Sequence, residues 1–398
     1  MYIKKVIIFI LLLVILGSCA KKQSEVSIRK KVSPAQRYEF KLYDSIAVDY
    51  LAGSLLIVDM TNRGLFLGLD FLDKTILLFN RSGKIINKFN RVGSDPVSFG
   101  SFLYALGFYD NTTVSVLSER GITFYSLNGE FIRNLPYRGE FAGFQMNNQL
   151  QLRPVTINDT TYLLALMDSK TKYRITDKEF YDEVHYFTMI NTITNNQKKI
   201  VQIEENDIYK NGKYFYPSRI IPVFSVDRKR NLLKVKYPLG ENLYTYSLEG
   251  DIKLSRITNL QPEHLKEPVG VPFENPEKDP GFSINGFYRN IFVNQDTTFL
   301  VYTTHFDTDK FTNDTGLNFF ENPVKYYNAY NHRYTATYCQ VFVNDEKVCQ
   351  DIPLPPEASY IAWISGYNYV IMKKGTSMLN YEPDNEMFYV YKIVPVAE

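Results

Sequence analysis

Short runs of alternating apolar and polar positions, divided by polar turns, recur along this chain from Tyr38 onward. That alternation is the signature of half-buried β-strands. One frame repeats clearly, as Phe79-Asn-Arg-Ser-Gly83-Lys-Ile, Tyr125-Ser-Leu-Asn-Gly129-Glu-Phe and Tyr246-Ser-Leu-Glu-Gly250-Asp-Ile. A polar residue follows the aromatic, and Gly follows three residues later. This is the chemistry of a type I turn closed by a left-handed Gly, so each copy predicts the tip of a β-hairpin. Weaker copies are Phe342-Val-Asn-Asp-Glu346-Lys-Val, with Glu346 where Gly stood, and Phe187 to Ile203, with Asn195-Asn196 at the tip. Phe388 to Val394 supplies a last strand.

Taking Phe79, Tyr125, Ile190, Tyr246, Phe342 and Tyr391 as equivalent points gives spacings of 46, 65, 56, 96 and 49 residues. The 96-residue interval predicts an insertion, placed at 259–286 because that stretch is rich in Pro. Each hairpin is preceded by further alternating stretches, such as Ser54–Asp59 with Leu65–Leu69 and Val223–Val226 with Leu232–Tyr237. Four strands per unit and six units predict an all-β fold, a six-bladed β-propeller over 37–398. The last unit is one strand short, and Tyr38–Ile46 is expected to pair there, leaving no open sheet edge. Rings of five or seven blades, or two β-sandwiches, are the competing architectures.

The first residues follow another pattern. Lys4 and Lys5 precede an unbroken apolar run from Val6 to Leu16. A bilayer span needs about 20 apolar residues, so the run suits a secretory signal, assigned to 1–18. It ends in Leu16-Gly17-Ser18-Cys19. This box resembles that of bacterial lipoproteins, which implies that the Cys19 thiol carries a diacylglyceryl group and holds the chain on a membrane. Residues 19–36 read as the lipidated Cys and a flexible tether with five basic side chains. Ala20 replaces the Asp that retains such proteins at the inner membrane. The expected address is therefore the outer membrane, facing the periplasm, with surface exposure open.

Composition adds little chemistry. The 398 residues are 45% hydrophobic and carry 45 basic against 43 acidic side chains, which gives no electrostatic reason to expect nucleic acid. The 31 Tyr and 28 Phe favour strands. No nucleophile elbow, P-loop, H-E-x-x-H or dinucleotide fingerprint occurs, so no catalytic residue, metal site or cofactor is assigned. His305-Phe-Asp307-Thr-Asp309 is the densest run of ligand-type residues, read as a polar loop. Arg91, Ser94 and Asp95, after the outer strand of the first unit, are the candidates for ligand contact. Cys339 and Cys349 share one hairpin. With Val343 opposite Lys347 they sit diagonally, ~7–8 Å apart, at or beyond the ~7 Å reach of a disulfide. A bridge is the lesser expectation.

The lipobox, the tether and degenerate repeats ending in GKIINKF…GSDPVSFG resemble the six-bladed propeller lipoproteins of Bacteroidetes-type bacteria, relatives of NHL-like and TolB-like propellers. The nearest resemblance is to the uncharacterised DUF4221 family. It implies a fold and a cell-envelope address, and carries no activity. Two functions stay open: a non-catalytic propeller binding an envelope protein, peptide or glycan, and a hydrolase or lyase with a carboxylate or metal site in the central channel.

Overall fold

The computed structural model describes residues 37–51, 54–136, 150–167, 171–275, 284–365, 369–375 and 385–396. Cys19 and the tether up to residue 36 lie outside them, as do residues 276–283 of the long connection. Four consecutive antiparallel strands, Leu55–Met60, Phe66–Asp70, Ile76–Phe79 and Ile85–Phe89, form the first blade. Four more blades follow at 103–135, 152–202, 223–259 and 287–353. The sixth takes its three inner strands from 358–395 and its outermost from Tyr38–Val48. That outer strand runs antiparallel to Glu386–Pro395, with Tyr38 opposite Pro395 and Val48 opposite Glu386. The six aligned points of the repeat all fall in the third strand of their blades.

The core is six cores, one between each pair of neighbouring blades. Leu67, Leu78 and Val116 pack between the first and second, and Phe187, Phe224 and Tyr244 between the third and fourth. Phe299, Ile361 and Tyr391 join the fifth to the sixth, and Val48, Phe66 and Phe388 join the sixth to the first. The remaining two interfaces have clusters of the same kind. A blade is thus covered on both faces. This explains why middle strands such as Phe66–Asp70 and Thr297–Thr303 are buried throughout rather than on alternate residues.

The repeated turn does more than reverse the chain. Asn80 Oδ1 accepts from the Ser82 and Lys84 amides at 3.0 and 3.1 Å, which fixes the turn. Gly83 sits at φ +80°, and a Cβ there would strike the Ala47 carbonyl of the sixth blade's outer strand. The same latch recurs around the ring. Arg91 Nε donates to the Gly129 carbonyl at 3.0 Å, Asn195 Nδ2 to Pro136 O at 2.6 Å, and Arg256 Nη1 to Asp345 Oδ2 at 2.6 Å. In each case the outer strand of one blade meets the hairpin tip of the next.

Two expectations about the fifth blade need correction. Its tip is a two-residue turn at Asn344 and Asp345, both left-handed (φ 49° and 65°), with Val343 opposite Glu346. Asn and Asp tolerate that conformation, so Glu346 does not take the Gly position. The ladder then slips, so that Cys339 faces Ile352 rather than Asp351. Cys339 and Cys349 are both free, buried thiols in the apolar layer between the fifth and sixth blades. Secondly, the 96-residue interval holds two excursions. The 260–286 connection contributes a short strand, Val271–Pro272, paired with Lys213–Tyr214. The larger excursion, 304–336, contains helices Thr308–Thr315 and Pro323–Tyr334, which pack Phe306, Phe311, Phe319 and Tyr334 into a small aromatic core. His305 to Asp309 is accordingly a helix start, with Asp307 as the cap accepting from the Lys310 amide at 3.0 Å.

One buried carboxylate ties the blades together at the axis. Asp59, on the innermost strand of the first blade, is ion-paired to Arg153 of the third, and both side chains are buried. Its Oδ2 accepts from the Phe108 amide of the second blade at 3.0 Å and lies 3.6 Å from Arg228 Nη2 of the fourth. Arg153 also donates to Val58 O at 3.1 Å and lies 5.2 Å from the Trp363 ring of the sixth blade. Gly107 lets the second and third blades approach here, since a Cβ would collide with the Leu152 carbonyl.

Removing Asp59 would strand a buried guanidinium. Asp59→Ala is expected to cost about 3–5 kcal/mol in urea unfolding, and Asp59→Leu combined with Arg153→Met to recover most of it; equal losses in both variants would refute this role. Thiol counting on unreduced, denatured protein is expected to find both Cys339 and Cys349 reactive, and titration of neither would show a bridge.

Candidate functional site

Antiparallel blades give the ring two unlike faces. Among the described residues, one carries short turns, such as 61–65, 110–112, 158–159, 228–231 and 295–296. The opposite face carries the inter-blade connections and the long excursions. These include helix Lys178–Glu183, the one-turn 3-10 helices Ile208–Lys210 and Pro217–Arg219, and the helical excursion 304–336. Phe320 and Val324, on that excursion, are exposed apolar side chains.

Along the axis, side chains of the innermost strands close in on one another. Leu56, Ile57, Gln151, Asn290, Phe292 and Trp363 surround a cavity of roughly 20 Å³, the room a single water needs. Asp59 is already engaged on both oxygens. Its Oδ1 takes Arg153 and the Met60 amide, and its Oδ2 takes the Phe108 amide beside Arg228. Among the described residues, no group of three or more His, Cys, Asp or Glu is arranged to hold a metal ion.

The residues singled out from sequence are engaged in turns. Arg91 is held on Gly129. Arg120 clamps the backbone of the other two, donating to Ser94 O at 2.9 Å and Asp95 O at 2.6 Å. The Asp95 carboxylate accepts from Ser98 Oγ and the Val97 amide, and the Ser98 bond chiefly lowers its pKa. Arg91 and Asp95 through their side chains, and Ser94 through its carbonyl, thus hold the connection between the first two blades. His305 Nδ1 faces the Lys266 amide at 3.4 Å, and burial chiefly lowers its pKa.

A different set, drawn from four distant parts of the chain, meets on the excursion-bearing face. Arg219 ends the turn Pro217–Arg219 between the third and fourth blades and is buried. Its guanidinium lies 3.6 Å from the centre of the Phe287 ring, at the start of the fifth blade's innermost strand. Two residues further, Arg289 occupies a β-bulge in that strand, between the Tyr288 and Asn290 pairs. Bulges re-aim side chains, and this one frees an arginine from an otherwise apolar run. Tyr327 of helix Pro323–Tyr334 is hydrogen-bonded to the Arg219 side chain and acts electrostatically on Arg289 as well. Tyr360, from the sixth blade, completes the surroundings of Arg289 and also borders the axial cavity. Burial is the main influence lowering the pKa of both arginines. No local motif announces the group. The only trace in the sequence is the arginine interrupting Phe287-Tyr-Arg-Asn-Ile-Phe.

No family model matches the chain, and no curated protein matches it. Solved structures do. A DUF4221 family member from Bacteroides vulgatus superposes with a TM-score of 0.63 at 13% identity, over 91% of this chain and 99% of that one. A candidate exported protein from Bacteroides fragilis gives 0.50 at 12% identity, over 92% and 98%. A gluconolactonase from Xanthomonas campestris gives 0.44 at 10% identity, over 92% and 99%, too loose a likeness to carry an activity. At such identities the likeness is one of fold: the chain is a six-bladed β-propeller of the kind seen in a DUF4221 family member from Bacteroides.

Proposed function

We propose that this chain is a non-catalytic binding propeller of the cell envelope, anchored by lipid on Cys19 and engaging its ligand on the excursion-bearing face. The observation that carries the reading is the asymmetry of the ring. Its helices, one-turn helices and long connections emerge on one face, together with exposed Phe320 and Val324, while the other presents short turns. Binding residues concentrate on loops held by a rigid scaffold, and a ring of six packed blades is such a scaffold. The ligand is an envelope glycan, peptide or protein. Against the hydrolase or lyase reading stands the engagement of Asp59, whose carboxylate is ion-paired to buried Arg153 and accepts from the Met60 and Phe108 amides, because a catalytic group must be free to exchange a proton or attack. The anchor rests on Leu16-Gly17-Ser18-Cys19, and Ala20 in place of the inner-membrane retention Asp favours the outer membrane, facing the periplasm or, alternatively, the cell surface.

Anchoring is tested by phase partitioning. Cys19→Ala is expected to leave the detergent phase or to accumulate as uncleaved precursor, and a variant retained there at normal mature mass refutes the anchor. Binding is tested by capturing envelope components on the full-length protein in detergent. Retention is expected to fall at least tenfold for Phe320→Asp/Val324→Asp and to be unchanged for Ile193→Asp, an exposed tip residue of the opposite face. Saturable turnover on glycan, ester or peptide panels, abolished by replacing one channel side chain, would establish the enzyme instead.

A further inference from the structure

The chain enters the ring at one corner, and that corner has its own chemistry. Arg37 O accepts from the Val396 amide at 2.9 Å, and Tyr38 pairs with Pro395. Pro395 ends a strand that starts at the 375–385 connection, so the entry point lies on the side of the short turns. Lys41 stands directly opposite Lys392 in the ladder, so the two ammonium groups share one face of the sheet. Tyr43 is pushed out of the ladder by a bulge between Leu42 and Asp44. Lys392 Nζ lies 3.8 Å from the centre of the Tyr43 ring and 5.1 Å from that of Tyr369. The two rings are 5.0 Å apart. The first blade's hairpin tip abuts this strand through Gly83 and brings exposed Arg81 to it. Arg81 Nε in turn lies against Gly64, beside exposed Arg63.

Like charges directly opposite on a sheet are unfavourable, a cost that an overlying anionic surface removes. The acids of the same stretch are Glu39 and Asp44, with Glu398 at the end of the chain. Beside the cations, Leu42 and Tyr43 are 54% and 56% exposed. Apolar side chains projecting among cations suit the boundary between headgroups and acyl chains, where Tyr keeps its hydroxyl in water. A soluble anion would leave Leu42 in water. A membrane is also at hand, because residues 19–36 lead here from Cys19, a reach of about 60 Å at full extension. That segment carries Lys21, Lys22, Arg29, Lys30 and Lys31 against Glu25, a balance that itself favours an anionic leaflet. We propose that Lys41, Lys392, Arg81 and Arg63, with Leu42 and Tyr43, dock this edge of the ring on an anionic lipid surface. The excursion-bearing face is then directed away from the bilayer. The docking rests on the lipid anchor proposed above and adds where the ring meets the membrane.

Lysine acetylation of the full-length lipidated protein tests it, on vesicles of phosphatidylcholine alone and of phosphatidylcholine with phosphatidylglycerol. With phosphatidylglycerol, Lys41 and Lys84, the latter on the first blade's tip, are expected to be labelled at least about fivefold more slowly. Lys198 of the third blade and Lys229 of the fourth, exposed on the far side of the ring, are expected to be unchanged. Raised salt is expected to restore the labelling. Arg63→Glu/Arg81→Glu alters only exposed side chains, and is expected to lose the protection while unfolding at the wild-type temperature. Equal labelling of Lys41 on both vesicles refutes the docking, as does protection that survives the double variant. So does protection shared by Lys198 and Lys229, or found instead at Lys325 of the helical excursion. Protection by inorganic phosphate on neutral vesicles would show a soluble-anion site and refutes it too. A chain that floats with both vesicles unprotected keeps its anchor and loses only the docking, and one that floats with neither loses both.

Discussion

Everything in this ring depends on burying a carboxylate where the blades converge. Sheets packed face to face are held by apolar contacts that say little about which sheet sits beside which. Asp59 supplies direction. It is satisfied only when the first, second and third blades are seated together, with the Arg228 turn of the fourth closing over it. Asp59 and Arg153 are individually expensive to bury, so partial assemblies leave a charge exposed to a poor environment. The interaction thereby couples neighbours that hydrophobic clusters join only in pairs.

The contrast with the opposite end of the axis is instructive. Near Asp59, positive charge is matched by a carboxylate. Arg219 instead lies over the Phe287 ring, and among the described residues neither it nor Arg289 forms an ion pair. Rigidity at the first allows irregular backbone at the second, because long connections order themselves against blades already fixed by their own interfaces.

What the chain discloses in one dimension follows the range of the interactions involved. The hairpin tips are local: Asn80, Ser126 and Ser247 bind amides two to four residues away, so spacing alone reveals them and the blades they belong to. Arg91, Ser94 and Asp95 were visible for the same reason, and proved to serve the turn that made them visible. The helix Pro323–Tyr334 was also within reach, since Tyr326, Tyr330 and Tyr334 recur every four residues, but aromatic richness reads first as strand. The arginine pair was not. Residues 219, 289, 327 and 360 are joined only through the closed ring, and a β-bulge turns Arg289 out of a strand whose pattern does not show it.

The sixth sheet imposes an order on folding during synthesis. Its outer strand is among the first structured segments to emerge, and its partner, Glu386–Pro395, is among the last. Until the end of the chain arrives, Tyr38–Val48 has no edge to join, and the faces of the first and fifth blades that the sixth will cover remain open. Pairing across nearly the whole chain is slow, because loop closure precedes any compensating contact. During that interval the nascent protein presents two apolar faces and an unpaired strand, the state most prone to misassembly. A chain stopped short of residue 386 would lose more than one strand: the ring would stay open, with its first and fifth blades uncovered.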